Sequence, residues 1–199
     1  MQTKTWADQS VRASLAAVRR EQPFTFGLTN YIAANLSANM VLAIGGSPAI
    51  GAMPHGSERF AAAASGMWIN LAALITDSED VIRGVDSTAS PEEAGELAVA
   101  LAQRTGAVVA VSGAIDLITD GHDTVLVPGG HVLLTRVTAT GCGLGAMTAA
   151  FAGSGLAPLA AATASHAVLA EAAARAGATA GGTGTFLAGL LDELSNLGR

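Results

Sequence analysis

The residues best suited to chemistry stand together in one turn, Thr138-Ala139-Thr140-Gly141-Cys142-Gly143-Leu144-Gly145-Ala146, which holds the only cysteine of the chain. Residues 146–151 are helix formers and core residues, so the turn should open a helix. The first N–H groups of a helix have no intrahelical partner, and glycines let a phosphate approach the backbone closely. The turn therefore points to phosphate chemistry with Cys142 at the reacting centre. Spacing alone also fits a blander reading, a small buried cysteine at a crowded helix start.

Other chemistry-bearing residues are weaker candidates. Ser112-Gly113 ends an apolar run, where a nucleotide site would lie in an open α/β sheet. His55, His122, His131 and His166 have no metal-ligand spacing, so structural roles are expected for all four. Asp116 and Asp120 flank a hairpin and should shape its turns. Gly141-x-Gly143-x-Gly145 lacks the spacing and the following acid of a dinucleotide fingerprint. Gly182-Thr183-Gly184-Thr185 reads as a helix cap.

Around these residues the chain alternates strands and helices. Apolar residues at Val11, Leu15 and Val18 predict an amphipathic helix over 8–20, stopped by Pro23. A strand at 24–26 precedes a helix capped by Thr29 or Asn30 and running to about 43, on which Asn35 and Asn39 share a face. The turn Gly45-Gly46-Ser47-Pro48 leads to a strand at Ala49-Ile50, a helix over 58–65 and a buried strand over 67–71. Residues 72–88 give no clear pattern. Ser90-Pro91-Glu92-Glu93 starts a helix that should reach Arg104. Residues 107–112 read as a strand of a parallel sheet covered on both faces, and 117–127 as a hairpin about Asp120-Gly121. Val132-Leu133-Leu134 reads as a short strand before the cysteine turn, and two more helices follow, over 158–176 and 185–197.

Composition sets the limits. The 199 residues suffice for one domain, 50% are hydrophobic and only 13% are charged, so apolar surface should be buried between subunits. A net charge of −6 without a basic cluster argues against a nucleic-acid groove. Residues 22–57 and 137–170 contain no Asp, Glu, Lys or Arg, but asparagines, glycines, prolines and His166 interrupt them, which favours buried helices over membrane spans. A polar start without an apolar run argues against a secretory signal, and one cysteine excludes an intrachain disulfide, so a cytoplasmic location is expected.

Several passages in the same order now carry a resemblance: Leu28-Thr29-Asn30-Tyr31, Ala33-Ala34-Asn35 and Ala38-Asn39; Gly46-Ser47-Pro48; Val109-Ala110-Val111-Ser112-Gly113; Asp116 with Ile118-Thr119-Asp120-Gly121; Gly130-His131; the cysteine turn; and Gly182-Thr183-Gly184-Thr185-Phe186 with Leu191-Asp192. With these the chain resembles the hydroxyethylthiazole kinases of thiamine salvage, of the ribokinase-like fold. The resemblance implies a single domain over 1–199, a three-layer α/β structure with a mostly parallel central sheet, and a homotrimer with active sites between subunits. It implies transfer of the ATP γ-phosphate, with Mg²⁺, to the hydroxyl of 4-methyl-5-(2-hydroxyethyl)thiazole.

By the same resemblance Cys142 stands where other ribokinase-like enzymes carry a base aspartate, Thr140 and Gly141 would cradle the γ-phosphate, and Arg83 and Ser112 would contact ATP. The helix start should lower the Cys142 pKa. Ala139 replaces a family glycine against the thiazole, and Ile50 replaces a family methionine on it. Metal ligands are not assigned. Val81-Ile82-Arg83-Gly84 runs straight into Val85-Asp86-Ser87, so the family's β-α-β stretch after 71 and its Asn-x-x-Glu element have no counterpart. Two readings of that gap stay open, a shortened relative or a chain lacking a segment that its gene encodes. The alternative function is a catalytically impaired trimer that binds thiazole or nucleotide.

Overall fold

The computed structural model describes residues 1–51, 57–70 and 91–199. In chain order its elements are β1 (Gln2–Thr3), α1 (Gln9–Glu21), β2 (Phe24–Leu28), α2 (Tyr31–Ile44), β3 (Ser47–Gly51), α3 (Glu58–Ala63), β4 (Gly66–Ile69), α4 (Pro91–Thr105), β5 (Val109–Val111), β6 (Ile115–Thr119), β7 (Thr124–Pro128), a 3₁₀ helix (Val132–Arg136), α5 (Thr140–Gly153), α6 (Pro158–Thr179) and α7 (Thr183–Asn196). Strands β3-β2-β4 form one parallel sheet. Strands β1-β7-β6-β5 form a second, in which β1 lies parallel to β7 and the other pairs are antiparallel. Three of the five described pairings are parallel, in agreement with the mostly parallel α/β sheet expected.

Strand alternation assigns helices to both faces. A Cβ on Gly66 would meet the Ala149 carbonyl of α5, so Gly66, Trp68 and Asn70 turn toward α5, while the Phe26 ring stacks on Phe60 of α3 on the opposite face. In the second sheet Asp116 bonds His166 of α6, whereas Leu117 touches α4 at Gly95. Helices α1, α2, α5, α6 and α7 pack together on one side. Their shared core contains Leu15, Val18, Met40, Ile44, Met147, Phe151, Phe186 and Leu190.

Residues 161–169 of α6 are all buried, so this helix presents no open face there. That accounts for the charge-free stretch in the sequence. No described helix is long and apolar enough to cross a membrane.

Local signals set most boundaries. Asn30 caps α2 by accepting the Ala33 N–H at 3.0 Å, Gly45 ends it in the left-handed region, and Asn39 Nδ2 reaches Asn35 Oδ1 at 3.1 Å on the shared face. Thr185 Oγ1 accepts the N–H groups of Gly181 and Gly182 at the start of α7. Arg19 of α1 donates to the carbonyls of Leu194, Ser195 and Leu197, where the chain leaves α7.

Three strand expectations fail. The strand expected to be buried over 67–71 is β4, in which only Trp68 is buried while Met67 and Ile69 are exposed. Val132-Leu133-Leu134 lies in the 3₁₀ helix, because His131 Nδ1 accepts the Leu133 N–H at 3.2 Å and its carbonyl accepts the Leu134 N–H at 3.0 Å. The strand expected over 107–112 spans only Val109–Val111 and is not a fully covered parallel strand. Ala110 is exposed, and the short link to β6 makes that pairing antiparallel. The polar start also forms β1, which its sequence did not suggest.

Helix α5 comes close to the backbone of β4 at Gly66, where a Cβ would meet the Ala149 carbonyl. Gly66→Ala should lower stability by about 1–3 kcal/mol, because the new methyl meets backbone rather than a movable side chain. A thermal melt should show the midpoint falling by several degrees.

Candidate active site

The cysteine turn begins α5 at Thr140, as its glycines and following apolar residues indicate. Ala139 precedes it with φ 68° and ψ 9°, in the left-handed region. The first intrahelical bond runs from Gly143 N–H to the Ala139 carbonyl, 2.9 Å. The amides of Thr140, Gly141 and Cys142 therefore have no intrahelical acceptor. The Thr140 hydroxyl donates to the Leu134 carbonyl at 3.1 Å, which ties the turn to the 3₁₀ helix.

Strand register brings the sheet to this turn. Gly66 lies beside Ala149, and Asn70, two pleats further along the same face, donates its Nδ2–H to Cys142 Sγ at 3.2 Å. The same amide group stands 3.3 Å from the hydroxyl of Thr29, which is 3% exposed at the end of β2. Backbone bonds fix both residues: Asn70 N–H to the Leu28 carbonyl at 2.9 Å and Thr29 N–H to the Gly51 carbonyl at 3.2 Å. The C-terminal ends of β2, β3 and β4 thus meet the N-terminus of α5, the place where open α/β sheets bind ligands.

Ile50 pairs with Gly27, whose other neighbour is Trp68. It lies on the Asn70 face, one side-chain repeat of about 6.6 Å back along the strands. Ala139, Thr140, Gly141 and Cys142 stand together at the start of α5, and Ile50 lies on the sheet face that α5 covers. The Cys142 thiol is half-buried, and burial pushes its pKa above the ordinary value, offset only in part by its own backbone N–H. This corrects the expected lowering: at this helix start desolvation outweighs the favourable amides.

Ser112 is exposed just beyond β5. Helix α6 runs back antiparallel to α5, with Thr148 bonded to Ser165, and its later turns approach Gly129 and His131 beyond β7. Strands β5 and β7 run parallel to each other through β6, so Ser112 ends at the same edge of the molecule as Cys142. Among the described residues no hydrogen bond joins the two. The link beyond Ser112 is held by Asp116, which accepts the Gly113 N–H at 2.8 Å and meets His166 Nδ1 at 2.7 Å. Asp120 accepts the N–H groups of His122 and Asp123.

Both aspartates shape turns, and His131 and His166 have structural partners, as expected. Arg83 and His55 lie outside the described residues, as does the gap region from 71. No group of three or more metal-capable side chains occurs among the described residues. Asn70 and Thr29 were not picked out as site residues from the sequence; a polar residue ending the apolar run Met67-Trp68-Ile69 was the available signal.

A family model described as the hydroxyethylthiazole kinase family matches residues 15–81 and 72–199. The chain belongs to that family. A hydroxyethylthiazole kinase of Burkholderia pseudomallei is 41% identical over 257 aligned positions covering 99% of this chain and 93% of the relative. One from Burkholderia thailandensis is 42% identical, with 99% and 98% covered. The solved hydroxyethylthiazole kinase of Pyrococcus horikoshii OT3 superposes with a TM-score of 0.83 at 26% identity, covering 94% of this chain and 93% of that one. Because 257 positions exceed the 199 residues present, at least 58 of them face no residue of this chain. The matched stretches meet around 72–81, where the family resemblance puts the gap.

Ala139 is a non-glycine residue held in the left-handed region, with φ 68°. A left-handed alanine costs roughly 1–2 kcal/mol, and glycine returns part of that through its freer unfolded state. Ala139→Gly should therefore raise unfolding free energy by about 0.5–1 kcal/mol, read as a higher urea midpoint at unchanged slope.

Proposed function

We propose that this chain transfers the γ-phosphoryl group of ATP to the hydroxyl of 4-methyl-5-(2-hydroxyethyl)thiazole, with Cys142 at the reacting centre. The observation that carries this reading is the junction of the α5 N-terminus with the ends of β2 and β4, at the one cysteine, in a chain of this family. The amides of Thr140, Gly141 and Cys142 supply donors for phosphate oxygens, and the helix start favours their negative charge. Ile50 and Ala139 border the thiazole, while Ser112 and Arg83 contact ATP.

In the transfer, the alcohol oxygen forms a bond to the γ-phosphorus as the bond to the β-phosphate oxygen breaks and ADP leaves. The alcohol proton passes to Cys142 Sγ in its thiolate form, giving the thiol. A raised pKa makes that thiolate scarce at neutral pH but a stronger base. Phosphoryl transfer asks mainly for positioning and charge stabilisation, so a scarce base is tolerable.

Mg²⁺ enters this reading as the companion of ATP. Among the described residues no side-chain cluster is fitted to hold it, and no step is routed through it. Tyr31, Ile32, Ile115 and Val132 are exposed apolar residues just beyond or at the strand ends on the Cys142 edge. They support a homotrimer with active sites between subunits. The cytoplasm, where ATP is available, is the compartment that suits the reaction.

The positions without counterpart favour a second reading, a trimer that binds thiazole or nucleotide with impaired turnover. An ADP-release assay with the thiazole alcohol and Mg²⁺ separates the two: turnover above background supports the kinase, whereas calorimetric binding without turnover supports the second reading. Cys142→Ala should lower turnover by more than roughly tenfold with the sedimentation profile retained. The wild-type rate should climb with pH from about 7 to 9 and the climb should vanish in the variant. Unchanged turnover would remove Cys142 from the reacting centre.

A further inference from the structure

The polar bond to the cysteine comes from a residue that no part of the cysteine turn contains. Asn70 lies at the end of β4, and its amide reaches Cys142 Sγ at 3.2 Å and Thr29 Oγ1 at 3.3 Å. Its backbone N–H is already committed to the Leu28 carbonyl, so the side chain projects from a fixed strand end rather than from a mobile loop. Thr29 is fixed in turn by its bond to Gly51 and by burial. Sulfur is a weak acceptor as a thiol and a strong one as a thiolate. A donor held at this distance therefore acts selectively on the charged form and fixes the sulfur's direction.

We propose that Asn70, held by Thr29, is a positioning residue for the transfer reaction, orienting Cys142 Sγ and stabilising its thiolate through the Nδ2–H bond. The assignment rests on the reading that places Cys142 at the reacting centre. It answers a problem that the site poses: burial opposes ionisation of the thiol, and the opposing contribution from the cysteine's own N–H is only partial. A side-chain donor attached to a different element supplies stabilisation that the turn lacks. It also couples the sheet ends to the helix start, so that sulfur and phosphate-binding amides keep one relative geometry.

Cys142 is the only cysteine, so iodoacetamide uptake by the full chain, followed by mass, reports that sulfur alone. In Asn70→Ala the pH midpoint of alkylation should rise by roughly half to one unit, because a donor to the thiolate is lost. Turnover should fall roughly tenfold while KM for the thiazole alcohol stays within about twofold. Asn70→Asp keeps the shape but puts a carboxylate beside the sulfur, and its midpoint should rise further, by more than about one unit. Should Asn70→Ala fail to fold, Asn70→Leu, which keeps similar bulk without a donor or a charge and is checked by circular dichroism, decides in its place. A purely structural Asn70 would lower the melting temperature and leave the alkylation midpoint in place. An unmoved midpoint in the folded variants overturns the positioning role while leaving the cysteine's role intact, whereas full turnover in Cys142→Ala overturns the underlying reading.

Discussion

The close approach of α5 to β4 is the constraint on which the site depends. At one end Gly66 and Gly153 let the backbones come together, with no room for a Cβ between Gly66 and the Ala149 carbonyl. At the other end Gly143 leaves space for Met40 of α2. Larger residues at Gly66 or Gly153 would lift the helix from the strand. The bond between Asn70 and Cys142 then could not form, since a sulfur contact at 3.2 Å tolerates little displacement.

That closeness explains the composition. With aromatics at only 4% of residues, the core is filled by alanine and aliphatic side chains that let helices pack tightly. Helix α6 is the clearest case, since its buried run over 161–169 includes four alanines, and of its three buried hydrogen-bonding side chains Ser165 is partnered by Thr148 and His166 by Asp116, while the Thr163 hydroxyl has no hydrogen-bond partner. The same arrangement reaches the β5–β6 link, because one Asp116 carboxylate oxygen accepts the Gly113 N–H and the other meets His166. Burial of one helix thus reaches the loop beside Ser112.

Much of this was legible residue by residue. Asn30 before an apolar run, Pro91 before acids, and Asp120-Gly121 between strand runs are local signals, and each marks an element boundary in the structure. Val132-Leu133-Leu134 was misread because three apolar residues do not distinguish strand from helix, and the deciding bonds come from His131. The cysteine turn was legible because it is contiguous. Its partners Asn70 and Thr29 were not, because their meeting depends on the register of β2 with β4 and on how closely α5 packs, neither of which a linear pattern contains.

The same distinction explains why the sign of the Cys142 shift was misjudged. A helix start is visible in sequence, and its amides favour an anion; the depth at which the helix buries its first turn is a property of packing. Here the packing that brings the sulfur to Asn70 also removes water from it, and desolvation becomes the larger effect. On the proposed reading, a sulfur that is mostly neutral leaves the free amides to the phosphate, which carries more charge than the sulfur would. On the proposed reading burial divides the labour within the turn: the backbone receives the anion, and the small fraction of Cys142 ionised to thiolate takes the alcohol proton, giving the thiol, once bond formation to phosphorus has made that proton more acidic. Seen this way, the raised pKa follows from the packing that assembles the site and is compatible with phosphoryl transfer there.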